Sequence, residues 1–285
     1  MLNLPYEQAE KLLQNMTPVQ KIGQLMMASI EVTEMDDATR AFLKENAVGN
    51  IILFGKNCVD RAQIARLNRQ IQEEITRNTG AQALVSIDQE GGPVLRIQEG
   101  ASTFPCAMAI GASGDPLNAY LTGLMEGSEL RALGINFDLA PVLDINGDDN
   151  DPAVGRRSYG ATGDLPAWYG GAFARGLREM GVIDCGKHYP GSGLNRIDTH
   201  FDFARDETPR REIEETLLPP FQKVMEEGMR CVMTTHVCYT ALDADGYPAT
   251  MSAPILQDLT RKKLGFEGLI ISDGMQMHAI SKTYG

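Results

Sequence analysis

The sequence predicts an α/β fold built on a parallel sheet, and three observations carry that expectation. Seven short apolar runs recur along the chain, unbroken rather than alternating, as in strands covered on both faces. Segments of helical periodicity with their own start and stop signals separate them. The length, 285 residues, is one that an α/β barrel occupies as a single unit. Together these predict a (β/α)8 TIM-like barrel as one domain over residues 1–285. Seven runs are one short of eight, and the last ends at Asp273, twelve residues before the end. The barrel is therefore expected to be truncated before its last strand and helix; either the chain is a fragment or the closing strand and helix come from elsewhere, because an open edge leaves backbone groups unpaired.

The runs, taken in order, are Gly23 to Ile30, Gly49 to Phe54, Ala83 to Asp88, Ile135 to Pro141, Val182 to His188, Cys231 to Thr235 and Gly268 to Asp273. Between them, Asp60 and Gln63 have capping-box spacing ahead of Ile64, Leu67 and Ile71, which share one helix face. Thr17–Pro18, Asp115–Pro116 and Thr208–Pro209 each place a cap residue before a proline suited to the first helical position. Gly134, Gly181 and Gly265 stand where helices should stop. No linker, repeat or low-complexity tract divides the chain.

Composition narrows the function classes. Lys plus Arg number 26 against 38 Asp plus Glu, for a net charge of −12, which repels nucleic acid phosphate and anionic lipid. No apolar run reaches the roughly 20 residues of a membrane span, and Met1-Leu-Asn-Leu-Pro-Tyr-Glu lacks the basic and apolar regions of a signal peptide. The five cysteines, Cys58, Cys106, Cys185, Cys231 and Cys238, are odd in number without a CxxC pair, as reduced core thiols of a cytoplasmic protein would be. Neither a standard zinc spacing nor a GxGxxG context is present, so no metal and no nucleotide cofactor is expected. Oligomeric state is not legible.

The richest stretch is Lys187-His-Tyr-Pro-Gly-Ser-Gly-Leu-Asn-Arg-Ile-Asp-Thr-His200, after an apolar strand and holding two of four histidines. Active sites of barrels lie at that end of the strands. In an extended segment Asp198 and His200 point the same way, so the carboxylate can hold one imidazole nitrogen and leave the other to move a proton. A polar surface loop with a chance Asp-x-His pair is the ordinary alternative. Asp273, at the end of an apolar run, suits a fixed, partly desolvated nucleophile; a helix cap is its ordinary alternative, as for Asp88 and Asp144. Lys187 and His188 are adjacent at a strand end, and a buried lysine needs a polar partner such as Asp88 or a ligand rich in hydroxyls. Spacing does not decide between Arg156 and Arg157. His236 either lines the pocket or is a satisfied structural histidine, and His278 is incidental.

The Lys187–His200 stretch closely resembles the Lys-His-Phe-Pro-Gly-His-Gly-x-x-x-x-Asp-Ser/Thr-His signature of the β-N-acetylglucosaminidases of glycoside hydrolase family three, the peptidoglycan-recycling type. The resemblance extends over Met16-Thr-Pro-Val-Gln-Lys-Ile-Gly-Gln-Leu, Ile87-Asp-Gln-Glu-Gly-Gly92, Leu139-Ala-Pro-Val-Leu-Asp144, Arg157-Ser-Tyr159 and Gly268-Leu-Ile-Ile-Ser-Asp273. It implies a retaining exo-glycosidase acting on terminal, non-reducing β-N-acetylglucosamine of muropeptide or chito-oligosaccharide fragments. By the same resemblance Asp273 is the nucleophile, His200 the acid/base and Asp198 its partner. Asp88, Arg96, Arg157, Lys187 and His188 would then hold the sugar.

Three positions depart from that pattern. Ser192 stands for the usual histidine, Pro93 for a frequent arginine, and Gly274 follows Asp273 where an acidic or small residue is usual. The first two bear on loop closure and leaving-group preference, and Gly274 is expected to loosen the backbone that aims Asp273. Two rival readings remain open: a β-glucosidase, xylosidase or phosphorylase of the same broad family, and an inactive truncated sugar-binding fragment.

Overall fold

The computed structural model describes residues 6–147, 153–192 and 204–284. Helices α1 (Tyr6–Asn15) and α2 (Pro18–Gln24) precede β1 (Met27–Ser29). Then α3 (Asp37–Glu45) leads to β2 (Asn50–Leu53), α4 (Arg61–Thr79) to β3 (Val85–Ile87), and α5 (Ala107–Gly111) with α6 (Pro116–Ala132) to β4 (Phe137–Asp138). A π-helical turn, Pro166–Gly170, opens into α7 (Gly171–Glu179) ahead of β5 (Cys185–Tyr189). Strand β6 (Arg205–Asp206), α8 (Arg210–Glu212) and α9 (Pro219–Glu226) precede β7 (Cys231–Thr234) and β8 (Cys238–Tyr239). A wide-turned helix, Pro254–Lys263, leads to β9 (Leu269–Ser272), followed by α10 (His278–Ser281).

Among the described residues the named strands pair in parallel throughout, as unbroken apolar runs separated by helices require. One ladder runs β1-β2-β3-β4 and another β5-β7-β9, while β6 and β8 pair separately. Single bridges, Phe137 to Ile183 and Val142 to Lys187, join β4 to the β5 segment, so seven strands follow one another in an arc. The arc is rolled: Met27, Ile52, Leu84, Phe137, Leu139, Ile183, Cys185, Cys231, Met233 and Ile271, from all seven strands or residues beside them, meet in one apolar cluster. Two further clusters pack helices on the outer face, one against β2 to β4 and one against β5, β7 and β9. Among the described residues no pairing joins β9 to β1, so the architecture seen is a parallel α/β arc and not the closed barrel. No described helix is long and apolar enough to cross a membrane.

The sequence rules hold at most helix ends. Thr17 forms a reciprocal capping box with Gln20, and Asp115 caps α6 by accepting from the Leu117 N–H. Asp60 accepts from the Gln63 N–H, but the Gln63 side chain reaches the N–H of Val59, one residue before the cap. Gly134, Gly181 and Gly265 all stop helices at positive φ.

Three expectations need correction. The first strand does not begin at Gly23, because the capped α2 continues through Gln24 and a Cβ on Gly23 would lie 1.8 Å from the carbonyl oxygen of Ala47. Thr208 does not cap a helix: its N–H donates to Asp206 Oδ1, and α8 starts only after an extended Pro209. The cysteines are free, but Cys58 and Cys106 are only half-buried while Cys185, Cys231 and Cys238 are core residues.

Helices α6 and α7 cross at very short range through interlocked glycines. A Cβ on Gly123 would lie 2.2 Å from the Phe173 carbonyl oxygen, and one on Gly176 would lie 2.5 Å from the backbone of Tyr120 and Leu124. Gly176→Ala is expected to force the helices apart and cost about 1–3 kcal/mol, read as a lowered thermal midpoint. An unchanged midpoint would show that the crossing is loose.

Candidate active site

Parallel strands bring their C-terminal ends to one rim, and the described strand-end residues singled out in the sequence lie there. Asp88 follows β3, Asp144 lies six residues beyond β4, Lys187 and His188 are in β5, His236 follows β7 and Asp273 follows β9. Strand register slips between Lys187 and Tyr189, which breaks the usual alternation and lets both Lys187 and His188 border the site.

Lys187 is the centre of an ionic cluster. Its side chain is fully buried, with Nζ 2.8 Å from Asp88 Oδ1 and 2.6 Å from Glu90 Oε1. Arg157 grips Glu90 from the other side in a bidentate pair, Nε to Oε2 and Nη2 to Oε1, both 2.7 Å. Arg96 Nη2 lies 3.4 Å from Asp88 Oδ2, with its guanidinium over the Phe54 ring. Three cations therefore surround two carboxylates. Burial is the largest single influence and would raise Glu90 and Asp88, but the charges and hydrogen bonds of Lys187, with Arg157 at Glu90 and Arg96 at Asp88, together hold both below the usual carboxylate range. Burial would lower Lys187; Asp88 and Glu90 reverse that and hold its ammonium charged well above the ordinary value.

Local sequence explains how Arg96 reaches this cluster. The chain turns at Gly91 and Gly92, both at positive φ, and a Cβ on Gly92 would strike Cys106 Cβ at 2.3 Å. Past the turn, the Gln89 side chain accepts from the N–H groups of Arg96 and Ile97.

His188 is aimed by Asp144, whose Oδ2 accepts from the His188 backbone N–H at 3.1 Å and from Nδ1 at 2.6 Å. Nε2 faces Arg157 Nη2 at 3.5 Å, a group that only donates, which fits the tautomer carrying its proton on Nδ1. Burial would raise Asp144, but His188 and two backbone N–H groups, one from Ser192, hold its carboxylate below the usual range.

Asp273 stands half-buried further along the rim, two strands beyond β5 in the order β5-β7-β9. Its N–H donates to the Thr234 carbonyl and its Oδ1 accepts from the Gly274 N–H at 2.7 Å. The Gly274 carbonyl accepts from Nε2 of buried His236, whose Nδ1 meets Thr250 Oγ1 at 2.8 Å. His236 is thus structural, and Gly274 is tied at both backbone groups instead of loosening the segment.

The structure joins Asp88, Arg96, Arg157, Lys187 and His188 in one connected cluster, leaves Arg156 exposed, and sets Asp273 apart on the same rim. Asp198 and His200 lie outside the described residues. Sequence reading missed Glu90, although its spacing of two from Asp88 in an extended segment was a usable signal. It gave Asp144 no role beyond a helix cap or a structural carboxylate, and the structure pairs Asp144 with His188.

Residues 18–285 match the model of the glycosyl hydrolase family 3 N-terminal domain. A β-hexosaminidase of Thiobacillus denitrificans is 36% identical over 262 residues, covering 90% of this chain and 71% of that protein. Among solved structures, a glycoside hydrolase family 3 β-N-acetylglucosaminidase from Paenibacillus superposes with a TM-score of 0.92 at 40% identity, over 94% of this chain. This chain spans about half of that one, 51%. NagZ from Neisseria gonorrhoeae superposes with a TM-score of 0.82 at 32% identity, covering 88% of this chain and 74% of that one.

Proposed function

The chain belongs to glycosyl hydrolase family 3, and from that premise we propose that it is a retaining exo-glycosidase releasing terminal β-N-acetylglucosamine from muropeptide or chito-oligosaccharide fragments. The observation that carries this reading is the Asp88–Glu90–Lys187–Arg157 cluster on the same strand rim as Asp273. Convergent charged donors and acceptors, with half-buried faces, suit the vicinal hydroxyls and acetamide of a pyranose. The names of the relatives support the same substrate class. We read the rolled arc as the wall of a (β/α) barrel forming one catalytic domain. The five free thiols suit the reducing cytoplasm in which a recycling enzyme would work.

In the proposed mechanism Asp88, Arg96, Arg157, Lys187 and His188 hold the sugar with C1 over Asp273. His200, supported by Asp198, protonates the leaving oxygen while Asp273 forms a glycosyl ester. His200 then takes a proton from the water that hydrolyses the ester, and the configuration at C1 is retained. No cofactor enters any step.

The test is release of phenol from aryl N-acetyl-β-glucosaminides, against the corresponding β-glucosides and xylosides, with and without phosphate. Hydrolysis confined to the N-acetyl substrate and indifferent to phosphate is expected; a sugar phosphate product would make the enzyme a phosphorylase. His200→Ala is expected to slow substrates with poor leaving groups by about 10²–10⁴-fold and to affect activated phenols far less. An equal slowing across the leaving-group series would remove His200 from the acid role.

A further inference from the structure

Behind the rim two more carboxyl groups face each other. Glu126, on α6, and Asp138, the last residue of β4, are both fully buried, and each acts directly on the other. Asp138 Oδ1 accepts from the backbone N–H of Gln89 at 3.1 Å. Its Oδ2 and both Glu126 oxygens are buried without a hydrogen-bond partner. The charged and titratable groups around the pair are Glu129 on the same helix, Asp88 and Glu90 beyond β3, Lys187 on β5, and Tyr159 in the loop before α7. The cation in this environment, Lys187, is already committed to Asp88 and Glu90.

Two carboxylates buried side by side with a single backbone donor between them cannot both remain ionised, and a shared proton satisfies oxygens that nothing else reaches. We propose that Glu126 and Asp138 share one proton, and that the singly charged pair is a positioning element for the Asp88–Arg96 turn. The link is short: Asp138 fixes the Gln89 N–H, and the Gln89 side chain fixes Arg96 and Ile97. Burial pushes Asp138 up to about 8; burial, then repulsion by Asp138, raises Glu126 well above the carboxylate range. Loss of the proton puts a second negative charge behind Asp88 and Glu90, where it competes for Lys187 and weakens sugar binding. This consequence rests on the reading that the turn binds sugar; the shared proton does not.

The sign for stability follows from the raised folded-state value. The pair takes up a proton on folding, so its contribution is full below the ordinary carboxylate range and is lost as pH rises through the raised folded-state values.

The experiment pairs infrared spectra of the folded protein in heavy water with KM for an aryl N-acetyl-β-glucosaminide across pH, for wild type and Glu126→Gln. A protonated-carboxyl stretch is expected at neutral pD in wild type and is expected to vanish in the variant, whose amide donates to Asp138. Wild-type KM is expected to rise about tenfold one unit beyond the titration, when about a tenth of the pair remains protonated, with kcat moving less. In Glu126→Gln the KM is expected to be flat over that range. Absence of the stretch in wild type overturns the proposal, as does an identical KM rise in both proteins. If no substrate is hydrolysed at any pH, the functional reading fails while the spectrum still decides the pair. If Glu126→Gln does not fold, Asp138→Asn replaces it and the wild-type spectrum retains its force.

Discussion

Asp273→Ala is expected to abolish turnover, lowering kcat/KM for aryl N-acetyl-β-glucosaminides by a factor on the order of 10⁴ or more, about 5 kcal/mol of transition-state stabilisation. The size follows from the role proposed for this side chain: without its oxygen no covalent intermediate can form, and the alternative is slow attack on an unassisted oxocarbenium-like centre. The fold should survive. Asp273 is half-buried, its backbone is held by Thr234 through the main chain, and the Gly274 carbonyl is held by His236. A near-native thermal midpoint should therefore accompany the lost activity. Added azide should restore some turnover and yield the α-glycosyl azide, since a small nucleophile can enter the space the carboxyl leaves. Wild-type activity in this variant would end the assignment of Asp273.

Lys187→Met is expected to have the second-largest effect, and it acts on stability as well as on binding. The substitution keeps the apolar stem and removes the charge, leaving Asp88 and Glu90 buried with only Arg157 and Arg96 to compensate. Breaking a buried ion pair from one side costs about 3–5 kcal/mol, because the remaining charge is uncompensated. The pH dependence should change sign. In wild type both carboxyls are held below their ordinary values, so their contribution is present above the usual carboxylate range and is lost as pH falls through the depressed folded-state values. In the variant they are raised, and mild acidification should recover stability by neutralising them. Thermal midpoints at neutral pH and near the carboxylate range measure this; a midpoint within about 1 °C of wild type at neutral pH would show that Lys187 is not the keystone of the cluster.

Much of the site was legible because its chemistry is local in sequence or forced by desolvation. A lysine at the end of an apolar strand had to find a carboxylate, and Asp88 at 2.8 Å is the one anticipated. The choice between Arg156 and Arg157 needed the resemblance; in the structure Arg157 pairs with Glu90 while Arg156 is exposed. Strands β2, β7 and β9 lie inside the runs read for them, because apolar content alone marks them. The start of β1 was misread because Gly23-Gln24 runs directly into the apolar Leu25-Met26-Met27, while the Thr17 box and the contact with Ala47 keep it helical. The opposition of Glu126 and Asp138 had no signal at all. Twelve residues separate them, and their meeting depends on how α6 lies against β4.

The cluster around Lys187 is also a clasp. Glu90 is gripped by Arg157 from 67 residues away, and Asp88 by Lys187 from 99. Contacts that close such long loops form late, after the entropy of the intervening chain has been surrendered. The surface proposed to hold the sugar is thus made of contacts between distant parts of the chain, and it exists only where the intervening helices and strands are folded between them.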